Sequence, residues 1–339
     1  MNGYIGHEHQ IRGVERYILQ DGKGEGMHIL QVRNGKGLEM HISADRCADI
    51  SRMMLHGVNL GYFSPCGYVS PAYYDKEGIG FLRSFTAGFM TTCGLTAVGT
   101  PCVDEGETLP LHGTIGNTPA VITVCEETED GVRIKAVVRD AALFDRKLVL
   151  TREYFISYED NSVTLHDTVR NEGDVPSPIM LLYHCNMGYP LLDENMVLAI
   201  PNNGVTPRDE EAGRYLDTAL CMEKPQPGYR ERCYYYDVKE TDGMAAAGVY
   251  NPNARVGAVI SYDRTTLDRF VEWKMMGQTD YVLGLEPGNC TPDGREELRR
   301  RGELKFLAPG AVYETRLRFT LCSDEQAFRR MIQTPARLS

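Results

Sequence analysis

The chain has no uninterrupted apolar run near the roughly 18 residues that a membrane-spanning helix needs, so we expect no membrane partner. Its first residues are polar and include acids, without the apolar segment of a secretory leader, which predicts a cytoplasmic protein. Its ten cysteines are scattered, with no CxxC pair and no Cys/His group at zinc spacing. This pattern favours reduced thiols over a disulfide framework, and no metal site is expected.

Glycine-rich phosphate loops and a regular alternation of strands with helices are also missing. Their absence argues against the parallel α/β nucleotide-binding folds, and we expect no cofactor. The formal net charge is −11, from 36 Lys and Arg against 47 Asp and Glu. Such an acidic balance argues against nucleic acid or an anionic membrane surface as the main partner.

What the sequence does contain is a β pattern. Apolar and polar residues alternate with a period of two in residues 132–138, 148–155, 163–169 and 313–321. Period two is typical of half-buried antiparallel strands, and 34 glycines and 17 prolines supply many turns between them. We therefore predict a mainly β fold of antiparallel sheets, with residues 1–339 forming a single domain.

Helix is predicted only in short segments. Residues 323–332 combine a capping box, Ser323 with Gln326, and one apolar side. Thr206 and Pro207 suit the first turn of another helix. Residues 203–232 are rich in Pro, Arg and Glu and are interpreted as a long excursion from the sheets.

The segment around His184 is the first candidate for chemistry. Residues 181–192, LLYHCNMGYPLL, begin apolar, then place His184 and Asn186, and stop at a Gly-Tyr-Pro turn. A strand that ends this way presents side chains at the mouth of a cleft. Imidazole changes its protonation most easily near neutral pH, although a hydrogen-bonded core histidine explains the segment equally well.

Glu286 is the second candidate. It follows the apolar part of residues 281–289, YVLGLEPGN, and precedes Pro-Gly. Partial burial there would raise its pKa and suit a general base, whereas a carboxylate that caps a turn is the plainer interpretation. Trp273 and Lys274 lie nearby, and this only tryptophan is either a core residue or a stacking platform for a sugar.

Two further segments carry open alternatives. Arg83, between aromatic and aliphatic residues, is either an ion-pair anchor or a fork that grips ligand hydroxyls or a carboxylate. His112 precedes Gly113 in the long irregular stretch 91–117. It suits close approach to a ligand or, alternatively, the stabilisation of a turn.

Taken together, these segments give an order of motifs that resembles the aldose 1-epimerase (galactose mutarotase-like) superfamily. The closest resemblance is to its bacterial branch known as DUF4432. The shared motifs are Asp45-Arg46 with Asp49-Ile50, TTCGL at 91–95, LHG at 111–113, LYHxNxGYPLL at 182–192 and LEPGN at 285–289.

The resemblance implies a β-supersandwich of antiparallel sheets with few short helices and a site in a concave cleft. His184 then matches the family's general acid and Glu286 its general base. His112 and Arg83 match ligand-binding positions.

Further substrate contacts are expected from Asn186 and Arg46, which lie within the shared motifs. One position departs from the family: its substrate-binding aspartate after the histidine strand has no counterpart here. Trp273 and Lys274 lie where we expect a replacement.

The function implied is the interconversion of sugar anomers by acid/base ring opening and closure, with a small sugar as partner and no cofactor. Three alternatives stay open: another sugar epimerase or isomerase on the same fold, a non-catalytic sugar-binding protein, and a structural β-sandwich module. A sugar phosphate would need a basic cluster, and the run Arg299-Arg300-Arg301 is better explained as a solvated face beside Glu296 and Glu297. A homodimer is the assembly that such proteins commonly form.

Overall fold

The structure, a computed structural model, describes residues 3–338. In that part of the chain it contains 26 strands and three α-helices, with short 3-10 turns between them. The first strands are β1 (Gly13–Ile18), β2 (His28–Arg33), β3 (Leu38–Ser43), β4 (Asp49–Leu55), β5 (Val58–Asn59), β6 (Tyr62–Phe63), β7 (Ala87–Gly88), β8 (Met90–Leu95), β9 (Cys102–Asp104) and β10 (Glu107–Leu109). They are followed by β11 (Val121–Glu127), β12 (Gly131–Ala141), β13 (Lys147–Ser157), β14 (Ser162–Asn171), β15 (Ser177–Pro178), β16 (Met180–Met187), β17 (Val197–Ala199) and β18 (Asn202–Pro207). The last part of the chain contains α1 (Glu210–Arg214), β19 (Arg232–Val238), β20 (Glu240–Thr241), β21 (Met244–Asn251), β22 (Val256–Asp263), β23 (Arg269–Met276), β24 (Tyr281–Gly288), α2 (Arg295–Arg301), β25 (Phe306–Leu307), β26 (Val312–Cys322) and α3 (Glu325–Gln333).

Two large antiparallel sheets form the body of the molecule. The first has eleven strands in the order β1-β2-β3-β4-β8-β16-β24-β23-β19-β18, with β5 paired to β4. The second has nine, in the order β11-β12-β13-β14-β26-β22-β21-β17, with β20 paired to β21. Apolar side chains of the two sheets meet in one large buried core, so the mainly β, antiparallel prediction is confirmed.

The period-two segments lie where the sequence predicted strands. Residues 148–155 fall within β13, and their alternate residues Leu148, Leu150, Arg152 and Tyr154 are all buried. Residues 313–321 fall within β26, where Leu317 and Phe319 are fully buried against the same core. The ten cysteines are all free thiols.

The helix starts were predicted less well. Asp324, and not Ser323, caps α3, because its carboxylate accepts a hydrogen bond from the Ala327 N–H at 2.7 Å. Thr206 and Pro207 end strand β18 instead of opening a helix, and Asp209 caps the short helix α1. Within residues 3–338, no helix has the length and apolar character needed to cross a membrane.

A buried ionic cluster ties the two sheets together. Arg152 of the second sheet is fully buried and donates to Asp167 on the neighbouring strand at 2.7 Å and to Asp49 of the first sheet at 2.6 Å. Asp49 also accepts from the Thr92 hydroxyl at 2.6 Å, and Asp167 from the Tyr183 hydroxyl at 2.7 Å. The cluster therefore fixes strands β4, β8 and β16 of the first sheet against the second.

We expect Arg152→Met to lower the free energy of unfolding by about 3–5 kcal/mol, since it leaves two buried carboxylates without their cation. Urea unfolding measures this loss. The matched control is Arg139→Met on β12, whose guanidinium is exposed and paired with Glu172, and its effect should stay within about 1 kcal/mol. A loss below about 1 kcal/mol for Arg152→Met would mean that the cluster does not hold the sheets together.

Candidate active site

Two central strands of the first sheet bring His184 and Glu286 together. In β16, Leu181, Tyr183 and Cys185 pack into the core between the sheets, so alternation directs His184 to the opposite face. The register places Cys185 opposite Leu285 of β24. His184 and Glu286 are therefore cross-strand neighbours on the face that turns away from the core.

This pair lies at the floor of a cavity of about 260 Å³, the size of a small-molecule site. The walls come from loops and from the neighbouring strands β23 and β19. The residues that line the cavity are Ile79, Phe81, Leu82, Phe85, Gly99, Thr100, Pro101, Leu111, His112, His184, Arg208, Glu231, Cys233, Val271, Trp273, Glu286 and Pro292.

The two floor residues are in direct contact. His184 Nε2 lies 3.2 Å from Glu286 Oε1, and the side chains are only 5% and 2% exposed. Despite this contact, His184 Nδ1 and Glu286 Oε1 have no hydrogen-bond partner among the described residues. Buried polar atoms without partners are costly, and a ligand with hydroxyl groups would satisfy them.

Burial shifts the pKa of Glu286, His184 and the neighbouring His112. It raises the pKa of Glu286 well above its usual value, with a smaller contribution from the negative charge of Glu231. It lowers the pKa of His184 well below the usual value, and it lowers the pKa of His112 to about 4. The low-dielectric floor thus favours a carboxylic acid beside neutral imidazoles.

Aromatic rings surround the His184 imidazole. Its ring centroid lies 5.4 Å from that of Phe85 on one side and 5.2 Å from that of Trp273 on another. The His112 ring lies 5.5 Å from His184 and 5.3 Å from Phe81. The cavity therefore brings together four of the residues singled out in the sequence, namely His112, His184, Trp273 and Glu286.

Arg208, Glu231 and Cys233 line the cavity but were missed by the sequence analysis. Arg208 donates to Glu231 at 3.1 Å and to the Cys233 sulfur at 3.0 Å. Glu231 also accepts from the indole N–H of Trp273 at 2.8 Å. The only signal of Arg208 and Glu231 in the sequence was the Arg- and Glu-rich character of residues 203–232, which did not reveal that β18 and β19 pair. Cys233 had no signal.

Arg83 and Arg46 lie outside the cavity, contrary to expectation. Arg83 is 79% exposed and paired with Asp75 at 2.8 Å, because the 3-10 turn that sends Phe81 inward sends Arg83 outward. Arg46 is buried and donates to main-chain carbonyls, including that of Gly116 at 2.6 Å. It holds loops together beneath the site.

Lys274 and Asn186 are also placed away from the cavity lining. Lys274 follows Trp273 in a strand, so it faces the other side of the sheet and donates to the Thr218 carbonyl at 3.2 Å. Asn186 is fully buried, and its side-chain amide donates to the His184 carbonyl at 2.8 Å. Lys274 therefore lies behind the site, whereas Asn186 lies on the same face of the sheet as His184 and binds the main chain beside it.

Nothing in residues 3–338 forms a group of three or more His, Cys, Asp or Glu side chains that is arranged to hold a metal ion.

Comparison with known families gives a match over most of the chain. The model of DUF4432, described as a domain of unknown function, matches residues 24–321. The protein belongs to the DUF4432 family. No curated protein matches this DUF4432 sequence.

Solved structures show which proteins share the fold. The DUF4432 chain is similar to a "putative aldose 1-epimerase" from Klebsiella pneumoniae, with 28% identity, a TM-score of 0.88, and coverage of 94% of this chain and 86% of that chain. It also resembles a galactose mutarotase-like protein from Clostridium acetobutylicum, with 14% identity, a TM-score of 0.65, and coverage of 92% and 99%. A galactose 1-epimerase from Lactobacillus acidophilus gives 15% identity, a TM-score of 0.60, and coverage of 91% and 98%. The galactose mutarotase-like fold predicted from the sequence is therefore confirmed.

Glu286→Gln should change how stability depends on pH. Because the pKa of Glu286 is raised on folding, the folded protein keeps a proton that the unfolded chain releases above about pH 4.5. The free energy of unfolding of the wild type therefore falls as pH rises above about 4.5, and this group contributes up to about 1.4 kcal/mol per pH unit to the fall. The variant lacks this term, so it should gain stability relative to wild type between pH 5 and pH 8, as measured by urea unfolding.

The control is Glu126→Gln, which changes an exposed glutamate of the same chemistry on strand β11. Its difference from wild type should be the same at both pH values. A Glu286→Gln difference that is equally flat would show that the Glu286 carboxyl is not held in its neutral form.

Proposed function

We propose that this protein is an isomerase that interconverts the α and β anomers of a sugar by acid/base ring opening and closure. The observation that carries the proposal is the buried His184–Glu286 pair, in contact at 3.2 Å on the floor of a small cavity. Two adjacent groups of this kind supply one acid and one base to the same reacting centre.

The reaction needs two proton transfers that balance. The proton of the anomeric hydroxyl moves to the base, the acid protonates the ring oxygen, and the bond between the anomeric carbon and the ring oxygen breaks. The open aldehyde end rotates, and the reverse transfers close the ring with the hydroxyl on the other face. The protein and the sugar finish with the protons that they had at the start.

The pair holds one transferable proton, which can rest on His184 or on Glu286. The family resemblance assigns the acid role to His184 and the base role to Glu286. Burial favours the opposite resting form, with a neutral carboxylic acid and a neutral imidazole. In that form Glu286 protonates the ring oxygen while His184 accepts the hydroxyl proton, and the roles exchange in the closing step.

Two further features support a sugar ligand. The tryptophan ring at the cavity offers an apolar surface to the C–H face of a sugar ring. The similar Klebsiella pneumoniae structure carries the name of an aldose 1-epimerase, and the galactose mutarotase fold is shared.

One observation favours a second candidate, an epimerase that removes a proton from a carbon next to a carbonyl. His184 Nδ1 has no hydrogen-bond partner among the described residues, so this imidazole nitrogen is available to accept a proton. Reaction in D2O separates the two: mutarotation leaves all carbon-bound hydrogens in place, whereas this epimerisation introduces deuterium at carbon. Incorporation of deuterium at carbon would show that the protein is an epimerase of this kind and not a mutarotase.

Glu286→Gln and His184→Ala should each slow anomer exchange by about 10²–10⁴-fold, because each removes one positioned proton-transfer group. Exchange NMR with a panel of aldoses measures the rate. Glu126→Gln and His28→Ala, which change exposed residues of the same types, should leave it unchanged. Near-normal exchange in Glu286→Gln would refute the assignment, and saturable binding without any exchange would favour a sugar-binding protein.

Gly284→Ala tests the position of Glu286 without removing its carboxyl group. A Cβ at residue 284 would overlap the Glu286 carboxylate, which is the movable end of a flexible side chain, so the fold should survive while the carboxylate shifts. A small shift of a catalytic group costs up to about 10²-fold, so we expect anomer exchange to fall at least ten-fold. Gly204→Ala is the control, since a Cβ at that strand position meets nothing within 4 Å. Equal rates in the two variants would show that the placement of Glu286 does not matter.

A further inference from the structure

The residues that line the cavity include two groups of different chemistry. One group, the apolar wall, is formed by Phe81, Leu82, Phe85 and Leu111. The other group, the polar wall, is the hydrogen-bonded set of Arg208, Glu231 and Trp273.

Both walls meet at the His184 imidazole. Phe85 of the apolar wall and Trp273 of the polar wall each contact its ring, with centroids 5.4 Å and 5.2 Å away. A ligand held at the His184–Glu286 pair therefore lies within reach of both walls.

The polar wall has capacity left for hydroxyl groups. Arg208 uses three hydrogen bonds, to Asp209, Cys233 and Glu231, and its guanidinium has five N–H groups. Each Glu231 oxygen accepts one hydrogen bond, from Arg208 or Trp273, and each has room for another. Adjacent sugar hydroxyls, which both donate and accept, match this arrangement.

The apolar wall has almost no such capacity. Phe81 and Phe85 are 2% and 8% exposed, and neither these rings nor the two leucines offer a hydrogen-bond partner to an oxygen packed against them. The Thr100 hydroxyl also lines the cavity, but it donates to the Pro292 carbonyl at 3.4 Å. The other neighbouring donor is His112, whose Nδ1 accepts from the Gly99 N–H at 3.4 Å. In the neutral imidazole the proton is then on Nε2, which suits a single acceptor oxygen.

A pyranose ring with its anomeric carbon at the floor pair has two edges. One edge carries the hydroxyls of C2 and C3, which fit the polar wall. The other carries the ring oxygen, an acceptor that fits His112, followed by C5 and its substituent. That substituent then lies against Phe81, Leu82 and Leu111.

We infer that the preferred substrate carries hydrogen or a methyl group on C5, as in an aldopentose or a 6-deoxyhexose, in place of a hydroxymethyl, carboxylate or phosphoester group. This inference rests on the proposed function, which places the anomeric carbon at the floor. A hydroxyl that is buried without a hydrogen-bond partner disfavours binding, and an unpaired carboxylate disfavours it more. We therefore expect kcat/KM for the hexose with a full set of hydroxyls to be at least ten-fold lower, and kcat/KM for the uronate to be lower still.

The test uses sugars that differ only at C5. D-galactose, 6-deoxy-D-galactose, L-arabinose and D-galacturonate share one ring configuration. D-glucose, 6-deoxy-D-glucose, D-xylose and D-glucuronate share another. Exchange NMR gives kcat/KM for each sugar, and the fluorescence of Trp273, the only tryptophan, gives its affinity. In the reactive series we expect the deoxy sugar or the pentose to exceed the hexose at least ten-fold.

Leu82→Asn tests the wall itself, and this side chain is 52% exposed, so the fold should tolerate the change. The variant should lower the preference for the deoxy sugar over the hexose at least three-fold. Leu220→Asn, at a leucine that is 40% exposed and does not line the cavity, should leave the ratio as in wild type.

The outcomes separate the two proposals. Exchange of the hexose within two-fold of the deoxy sugar, or a preference for the uronate, overturns the inference and leaves mutarotation standing. Absence of exchange with tighter binding of the deoxy sugar or pentose refutes mutarotation and keeps the ligand preference. Neither exchange nor any fluorescence change with the whole panel overturns both.

Discussion

The buried Arg152 cluster is the constraint on which the rest of the structure depends. A guanidinium without water has to be fully paired, and here its partners come from both sheets. Tyr183, which reaches Asp167 of this cluster, is the immediate neighbour of His184 in β16. The hydrogen bond that Tyr183 makes on the core side of β16 therefore fixes the position of the strand. This in turn fixes the position of the His184 imidazole on the other face of the sheet. The position of the pair that we assign to proton transfer therefore depends on a buried charge cluster that does not line the cavity.

Strand alternation explains both what the sequence predicted correctly and what it did not. The apolar run before His184 and the one before Glu286 were visible, and pairing of central strands brings the two residues together. The same period of two means that Trp273 and Lys274, as consecutive residues of one strand, face opposite sides of the sheet. The prediction that both contact the substrate was therefore incompatible with a strand at that position.

Other features depend on contacts that no local pattern reveals. Arg208 and Glu231 are 23 residues apart and become neighbours only because β18 pairs with β19. Arg46 and Asp49 belong to a motif that the resemblance identified, but the motif serves the interior. Arg46 binds loop carbonyls, and Asp49 binds Arg152. A motif shared with a family therefore does not distinguish residues that stabilise the fold from residues that line the site.

The floor and the walls of the cavity come from different parts of the larger sheet. Its floor belongs to β16 and β24, which lie in the middle of the larger sheet and are constrained on both faces. Its walls belong to loops such as the turn at Phe81, to β23, and to the ends of β18 and β19 towards one margin of that sheet. Residues at a margin can be exchanged without disturbing the strands that carry the proton-transfer pair. A scaffold built in this way can acquire new ligand preferences by small evolutionary steps at its rim, while the His184–Glu286 pair at its centre is kept.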